Sequence, residues 1–282
     1  MVPSRRDVMK HTLSTGFALA VSPVAETALA TNAQGLEASE VKIATAAGEI
    51  PAYRARPTGD AKRRLPVLLV VHEIFGVHEH IKDLCRRFAK LGFFAIAPDL
   101  FARQGDAGKV SDVKQLVQDI VSKTPDQQVL SDLDATLSWA STQPQANAEH
   151  LGITGFCWGG RVTWLYAAHQ PALKAGVAWY GKVIGDKDAL HPKHPLDLTG
   201  ELKAPVLGLY GAQDQGISLN SLHQMKGALQ ASASPAAKKC EFHIYPDAGH
   251  AFAADYRPSY RKADAEDGFS RMQAWLKVNG VV

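Results

Sequence analysis

The sequence predicts an α/β fold in which helices cover both faces of a mostly parallel central sheet, with an antiparallel hairpin at the N-terminal side. From residue 65 onward, short apolar runs alternate with amphipathic stretches, as in chains whose parallel strands are joined by helices. The run Leu65–Val71 is apolar at every position, which suits a strand covered on both faces. Before it, residues 41–46 and 50–55 flank Gly48 and alternate in polarity, as hairpin strands do.

The remaining elements follow from the same patterns. Predicted strands lie at 93–97, 151–155, 175–179, 206–210 and 241–245. Predicted helices lie near 81–91, 110–121, 127–141, 159–169, 219–229 and 260–278. The stretch 181–204, rich in Pro, Gly, His and Lys, is predicted to be a long loop, and such loops often cover a site.

Composition excludes several classes of protein. The 282 residues are 46% hydrophobic and 21% charged, which is ordinary for a soluble globular chain and excludes a disordered or collagen-like one. Three cysteines do not make a disulfide scaffold, and their odd number leaves at least one thiol outside any intrachain pair. The 31 Lys and Arg residues nearly balance 28 Asp and Glu, for a net charge of +3, so no nucleic-acid partner is expected.

Residues 1–30 have the parts of an export signal. Arg5 and Arg6 precede an apolar run at 13–24, and residues 28–30 (A-L-A) form a small-residue cleavage pattern. The adjacent arginines resemble a twin-arginine signal, which predicts the twin-arginine export machinery as a partner and a periplasmic location. The competing interpretation is a basic start on a cytoplasmic protein.

The domain organisation follows from this signal. The apolar run of roughly a dozen residues is shorter than the about 20 that span a bilayer, so no stable membrane anchor is expected. Residues 31–39 are polar and are predicted to be a linker. No strong linker divides residues 40–282, which we expect to form one domain.

Residues 155–160 (G-F-C-W-G-G) directly follow a predicted strand and open a predicted helix. This is the context of a nucleophile elbow, with Cys157 where most such motifs have serine. Crowding at the turn requires small residues two before and two after the nucleophile, and glycines occupy both places. The backbone N–H of Trp158 at the helix start would stabilise an oxyanion. An isolated cysteine is usually a small buried hydrophobe, but this frame predicts Cys157 as a nucleophile.

A cysteine nucleophile needs a base and a group that orients the base. Asp214 follows the strand predicted at 206–210, and His250 follows the last predicted strand. The order nucleophile, acid, histidine is that of the α/β-hydrolase fold, and all three residues lie past carboxyl ends of strands, where α/β sheets hold ligands. We therefore predict a Cys157, His250 and Asp214 triad, with Asp247 as the rival acid.

The end of the strand Leu65–Val71 carries two further candidates. The backbone N–H of Ile74 is predicted to be the second oxyanion donor, beside that of Trp158. The Glu73 carboxylate is predicted to lie near the thiol, and the competing interpretation is a solvated acid at a strand end.

Five motifs, V-H-E-I-F-G-V, P-D-L-F-A-R-Q, G-F-C-W-G-G, G-A-Q-D and A-G-H-A-F, together resemble the dienelactone hydrolase family, in the right order and spacing from about residue 40 to the C-terminus. The resemblance implies an α/β hydrolase without a cofactor that cleaves an ester or lactone through Cys157, His250 and Asp214. It also implies that Glu73 holds the resting thiol and takes its proton, and that Arg103 binds a substrate carboxylate.

The chain departs from the family after the histidine. Family members usually read H-S-F-A-R there, and their Ser and Arg contact substrate, whereas Ala251 and Ala254 stand at these places here. Alanine cannot make the two-pronged contact of an arginine with a carboxylate. Arg257, three residues later, is the nearest basic replacement and a candidate for substrate binding.

Rival functions remain open at this stage. The candidate ligands for a metal site are exposed histidines, namely His72, His78, His80, His191 and His194. No Cys or carboxylate cluster completes a tetrahedral set with them, so no metal is expected. The sequence is also compatible with a non-catalytic protein that binds a small organic acid, and with a redox-active thiol protein. Neither Cys85 nor Cys240 is an obvious resolving cysteine for Cys157.

Overall fold

The computed structural model of the protein describes residues 31–59 and 64–282, and the predicted export signal at 1–30 lies outside the described residues. Eight strands form one sheet in the order β1-β2-β4-β3-β5-β6-β7-β8. Their bounds are β1 Leu36–Thr45, β2 Gly48–Pro57, β3 Leu65–Val71, β4 Phe94–Pro98, β5 Ala146–Phe156, β6 Leu173–Trp179, β7 Val206–Gly211 and β8 Glu241–Tyr245.

The sheet is mostly parallel, as predicted. β1 and β2 form the antiparallel hairpin, and β2 pairs antiparallel with β4. All pairings among β3 to β8 are parallel. The chain steps from β3 outward to β4 and then returns to β5 on the other side of β3. This reversal is a topological switch point, and α/β sheets bind ligands beside the carboxyl ends of strands at such a point.

Helices cover both faces of the sheet. They are α1 Glu79–Lys90, α2 Val113–Asp119, α3 Asp126–Ser141, α4 Trp158–His169, α5 Leu219–Ala231, α6 Pro235–Lys238 and α7 Lys262–Val278. On one face α1 and α7 meet through Phe88 and Phe269, whose ring centroids are 6.2 Å apart. On the other, α3 and α4 meet where the Tyr166 hydroxyl donates to Asp134. Among the described residues, no helix has both the length and the apolar character to cross a membrane.

The apolar character of β3 has the predicted cause. Residues 67–71 have no solvent exposure, since β4 and β5 flank the strand and helices pack on it from both faces. Burial of apolar side chains of this kind is the main favourable contribution to the stability of the sheet.

Two boundaries differ from the prediction. β1 begins at Leu36, so the segment predicted as a linker at 31–39 already contains strand at its end. β5 begins at Ala146, five residues before the apolar run that marked it at 151–155. Its first five residues read A-N-A-E-H, and only the first two pair with β3, before a shift of register between Pro66 and Val67. A stretch of alanine and polar residues carries no strong hydrophobic pattern, which is why the sequence did not indicate it.

The predicted loop 181–204 contains a single 3₁₀ turn at Pro195–Leu198 and is held by α4. Arg161 of α4 donates from both terminal nitrogens to Asp126 at 2.7 Å, and from Nε to Nδ1 of His194 in the loop at 3.1 Å. The helix therefore fixes the loop as well as packing on the sheet.

The start of α4 touches the sheet without intervening side chains. A Cβ on Gly155, in β5, would lie 2.1 Å from the carbonyl oxygen of Gly159, and a Cβ on Gly159 would lie 2.4 Å from that of Val71 in β3. Both distances are far below van der Waals contact. Only glycine at both positions lets the helix begin this close to the two strands.

We predict opposite effects of two Gly→Ala substitutions on the free energy of unfolding. Gly155→Ala should lower it by about 3 kcal/mol, the upper end for overpacking, because the backbone must move. Gly227→Ala in α5 is the matched control, since its Cβ would meet no atom within 4 Å. It should raise stability by roughly 0.5–1 kcal/mol. Urea denaturation measures both, and an unchanged Gly155→Ala midpoint would contradict the described packing.

Candidate active site

The turn between β5 and α4 holds Cys157 in a strained conformation. Its φ is 55° and its ψ −114°, a region that non-glycine residues rarely adopt. Its amide donates to the carbonyl of Trp179 at 3.0 Å, and its carbonyl accepts from Gly160 and Arg161 at 3.0 and 3.3 Å. These bonds hold the side chain at the carboxyl end of the sheet, as the elbow motif predicts.

His250 lies between Asp214 and Cys157. Nδ1 of His250 is 2.7 Å from Oδ2 of Asp214, and Cys157 is close enough for its charge to act on the imidazole. The other Asp214 oxygen accepts from the amides of Gly216 and Ile217 at 2.8 and 3.2 Å. The structure thus brings together the three residues that the sequence singled out, and the rival Asp247 lies on the surface, 3.8 Å from Arg261.

The electrostatics of these three residues favour a charged imidazole. Burial of the ring works against its charge, yet the pKa of His250 is raised to about 10, because the charges of Cys157 and Asp214 and the hydrogen bond between Asp214 and the ring favour the imidazolium more strongly. His250 can therefore hold a proton at neutral pH beside the sulfur atom.

Glu73 belongs to a second buried group next to these three residues. Its Oε2 accepts from the Tyr256 hydroxyl at 2.7 Å, and lies 3.3 Å from Nε2 of His78 and 3.7 Å from Nη2 of Arg257. Burial opposes ionisation of the carboxyl, but Arg257 and His78 outweigh it and hold the pKa of Glu73 well below its usual range. The carboxylate is only 1% exposed, so it is not a solvated acid at a strand end.

The two arginines predicted to bind substrate lie in different places. Arg257 is buried beside Glu73, and its Nε donates to the Tyr256 hydroxyl at 3.0 Å. The charge of Cys157 is among those that raise the pKa of Arg257, against the larger effect of burial, so the guanidinium lies within electrostatic range of the thiol. Arg103 instead pairs with Asp132 and lines a surface cleft of about 420 Å³ beside the turn of the β1–β2 hairpin.

The two backbone amides that the sequence predicts as oxyanion donors both lack an acceptor among the described residues. They are the amides of Trp158, at the start of α4, and Ile74, past the end of β3. His72 lies between the two segments and is fully buried. Its Nδ1 is 2.6 Å from the carbonyl of Glu73, and its Nε2 accepts from the amide of Leu100 at 3.1 Å.

The sequence offers Tyr180 only as an aromatic residue near a strand end that lines a pocket or belongs to the core, and it does not single out Tyr256 as a site residue. Tyr180 follows β6 with φ 39°, and its ring packs 5.2 Å from that of His250. Burial, together with the charges of Glu73 and Cys157, raises the pKa of Tyr180 well above its usual value, so its hydroxyl stays protonated. The position of Tyr180 at a strand end is the one signal that could have marked it. Nothing in the sequence pattern marks Tyr256.

The other two cysteines are structural. Cys85 and Cys240 are free thiols, and burial raises the pKa of both, that of Cys240 to about 12. Within residues 31–59 and 64–282, no cluster of three or more His, Cys, Asp or Glu side chains is arranged to hold a metal ion.

The raised pKa of His250 predicts a pH window for stability. Between the ordinary value of 6.5 and about 10, the folded protein keeps a proton that the unfolded chain loses. This contribution is therefore complete below pH 6.5, and it is lost as the pH rises through the window. Asp214→Asn should lower the pKa of His250, measured by NMR titration of the ring protons and assigned with His250→Gln. A wild-type ring that titrates near 6.5 would contradict this account.

A second prediction concerns the coupling of Glu73 and Arg257. Arg257→Met should lower the free energy of unfolding by about 3–5 kcal/mol, because it leaves a buried carboxylate uncompensated. Adding Glu73→Gln should restore part of this loss, with a coupling energy above about 1 kcal/mol in urea denaturation. Lys262→Met is the control, since it breaks an exposed pair with Glu266 and should change little. Additive losses would show that the pair is not coupled.

The chain is similar to known proteins along most of its length. The model of the Dienelactone hydrolase family matches residues 50–279. The chain is 58% identical over 279 residues to a Methylorubrum extorquens protein named "Putative carboxymethylenebutenolidase", covering 99% of this chain and 94% of that one. An Escherichia coli K12 protein of the same name is 52% identical over 272 residues, covering 96% of this chain and 98% of that one.

A solved structure is similar along nearly the whole described chain. It is the crystal structure of a "Putative Dienelactone Hydrolase" from Klebsiella pneumoniae, with a TM-score of 0.82 and 52% identity, covering 86% of this chain and 98% of that one. The resemblance drawn from the five sequence motifs is thereby confirmed. A family model that spans the parallel sheet, together with relatives matched over almost their full lengths, shows that the chain is a hydrolase belonging to the dienelactone hydrolase family.

Proposed function

We propose that the protein hydrolyses a carboxylic ester or lactone with Cys157 as the nucleophile. The observation that carries this proposal is the His250–Asp214 hydrogen bond beside Cys157, which sits at a strained strand-to-helix turn. An imidazolium beside a sulfur atom favours the thiolate, which is the nucleophilic form of cysteine. Asp214 holds the imidazole in position and stabilises its charge.

The reaction proceeds in two stages. Sγ of Cys157 attacks the carbonyl carbon, a C–S bond forms, and the carbonyl oxygen becomes an oxyanion bound by the amides of Trp158 and Ile74. The bond to the leaving oxygen then breaks as His250 gives that oxygen its proton, which leaves a thioester. Water attacks the thioester, His250 takes the proton of the water, and the C–S bond breaks to release the acid and regenerate the thiolate. No cofactor enters either stage.

Arg257 is the better supported of the two arginines as the group that binds a substrate carboxylate. It lies beside Glu73 and within electrostatic range of Cys157, whereas Arg103 is occupied by Asp132 beside the hairpin. A carboxylate that binds Arg257 must compete with Glu73 for the guanidinium. Glu73 would then lose its main compensating charge and could take a proton, in keeping with the role that the resemblance implies for it.

We also propose that residues 1–30 direct export through the twin-arginine machinery to the periplasm. The support is the sequence pattern of two adjacent arginines, a short apolar run and a small-residue cleavage pattern. That pathway carries folded proteins, which agrees with three free thiols in the described part of the chain.

The first test is hydrolysis of p-nitrophenyl esters, plain lactones and carboxylate-bearing lactones. Cys157→Ala should lower kcat/KM by at least about 10³-fold, as loss of a nucleophile does. Cys240→Ala is the matched control, because it removes a second partly buried thiol that sits before β8, and it should keep wild-type kinetics.

The substrate panel separates the competing functions. A preference for carboxylated lactones that disappears in Arg257→Met would assign the anchor to Arg257. Equal hydrolysis by the wild type and Cys157→Ala would contradict the thiol mechanism. An absence of turnover by the wild type on the whole panel would favour a protein that binds a small organic acid or acts through thiol redox chemistry.

A further inference from the structure

His72 connects two backbone segments through its two ring nitrogens. An amide N–H can only donate, so Nε2, 3.1 Å from the amide of Leu100, must be the acceptor. The ring proton is therefore on Nδ1, which donates to the carbonyl of Glu73 at 2.6 Å. These two contacts define one neutral tautomer. Burial lowers the pKa of His72 despite the opposing charge of Asp99, which keeps the ring neutral.

The bond to the carbonyl of Glu73 also sets the direction of the next amide. The carbonyl of Glu73 and the N–H of Ile74 belong to one trans peptide unit, in which they point in opposite directions. With the carbonyl turned toward the imidazole, the amide of Ile74 is turned away from it. That amide has no acceptor in the described part of the chain.

The face of the same imidazole contacts the segment that carries the other amide. His72 stacks on the Trp158 indole with centroids 5.4 Å apart and an interplanar angle of 16°. The Phe101 ring meets it edge-on at 4.8 Å. One side chain thus bonds to the carbonyl of the peptide unit that carries the Ile74 amide, and it supports the Trp158 turn by stacking.

We propose that His72 is a positioning residue that presents the amides of Ile74 and Trp158 to the oxyanion of the reaction. This inference rests on the proposed hydrolase function. It assigns the positioning of the two amides to the hydrogen bonds of the ring nitrogens of His72. If the side chain only filled space in the core, any ring of the same shape would serve.

The test compares His72→Phe with His72→Gln. Phenylalanine keeps the ring and loses both hydrogen bonds, whereas the terminal amide of glutamine carries one acceptor and one donor group. His72→Phe should lower kcat about 10²-fold, as loss of an oxyanion donor does, with KM within about threefold of wild type. His72→Gln should recover most of that loss.

Alkylation of Cys157 by iodoacetamide, located by mass spectrometry, is the second readout. This reaction forms no oxyanion, so His72→Phe should alkylate within about threefold of the wild-type rate. His169→Phe is the matched control. It removes a histidine hydrogen bond to Asp134 at the far end of α4, about 16 Å from the nucleophile, and should leave kcat unchanged.

Three results would overturn the inference. The first is a wild-type kcat in His72→Phe, and the second is an equal loss of alkylation and hydrolysis in that variant. The third is an NMR spectrum of the ¹⁵N-labelled wild-type protein in which the His72 ring is the Nε2–H tautomer. The NMR result decides the matter if His72→Phe does not fold. Absence of turnover by the wild-type protein would overturn the proposed function as well, whereas turnover with an unchanged His72→Phe overturns only the role of His72.

Discussion

The site depends on the contact between the first turn of α4 and the ends of β3 and β5. Gly155 and Gly159 allow carbonyl groups to approach where any side chain would collide. The helix begins at Trp158, directly after Cys157, and this close approach places the start of the helix alongside the end of β3. This edge of the sheet, at its topological switch point, thus holds the amides of Ile74 and Trp158, the Cys157 thiol and the Glu73 carboxylate.

Two buried charge groups share this edge and constrain each other. The first consists of Cys157, His250 and Asp214, and the second is centred on Glu73 and Arg257. Burying a charge is costly unless it is compensated, and each group contains its own opposite charge. Because the groups are adjacent, a ligand that changes the ion pairs in one group changes the electrostatic potential at the other. Under the proposed function, binding of an anion would therefore change the electrostatic potential at the thiol.

The sequence predicted features whose signals are local. The apolar run of β3, the glycine spacing around Cys157 and the order of the triad candidates indicated the fold and the group of three residues. It could not indicate the partners of Glu73, because the Tyr256 that donates to it lies 183 positions away in a loop without regular pattern. For the same reason the pairing of Arg103 with Asp132 of α3 was out of reach, and the family motif alone pointed Arg103 toward substrate.

The backbone conformation of Cys157 lowers the stability of the folded chain. A non-glycine residue at a φ of 55° is less stable than glycine there by roughly 1–3 kcal/mol. Glycine at this turn would relieve the strain but would remove the thiol. The fold therefore holds a side chain at the carboxyl end of the sheet at a position whose backbone conformation disfavours one.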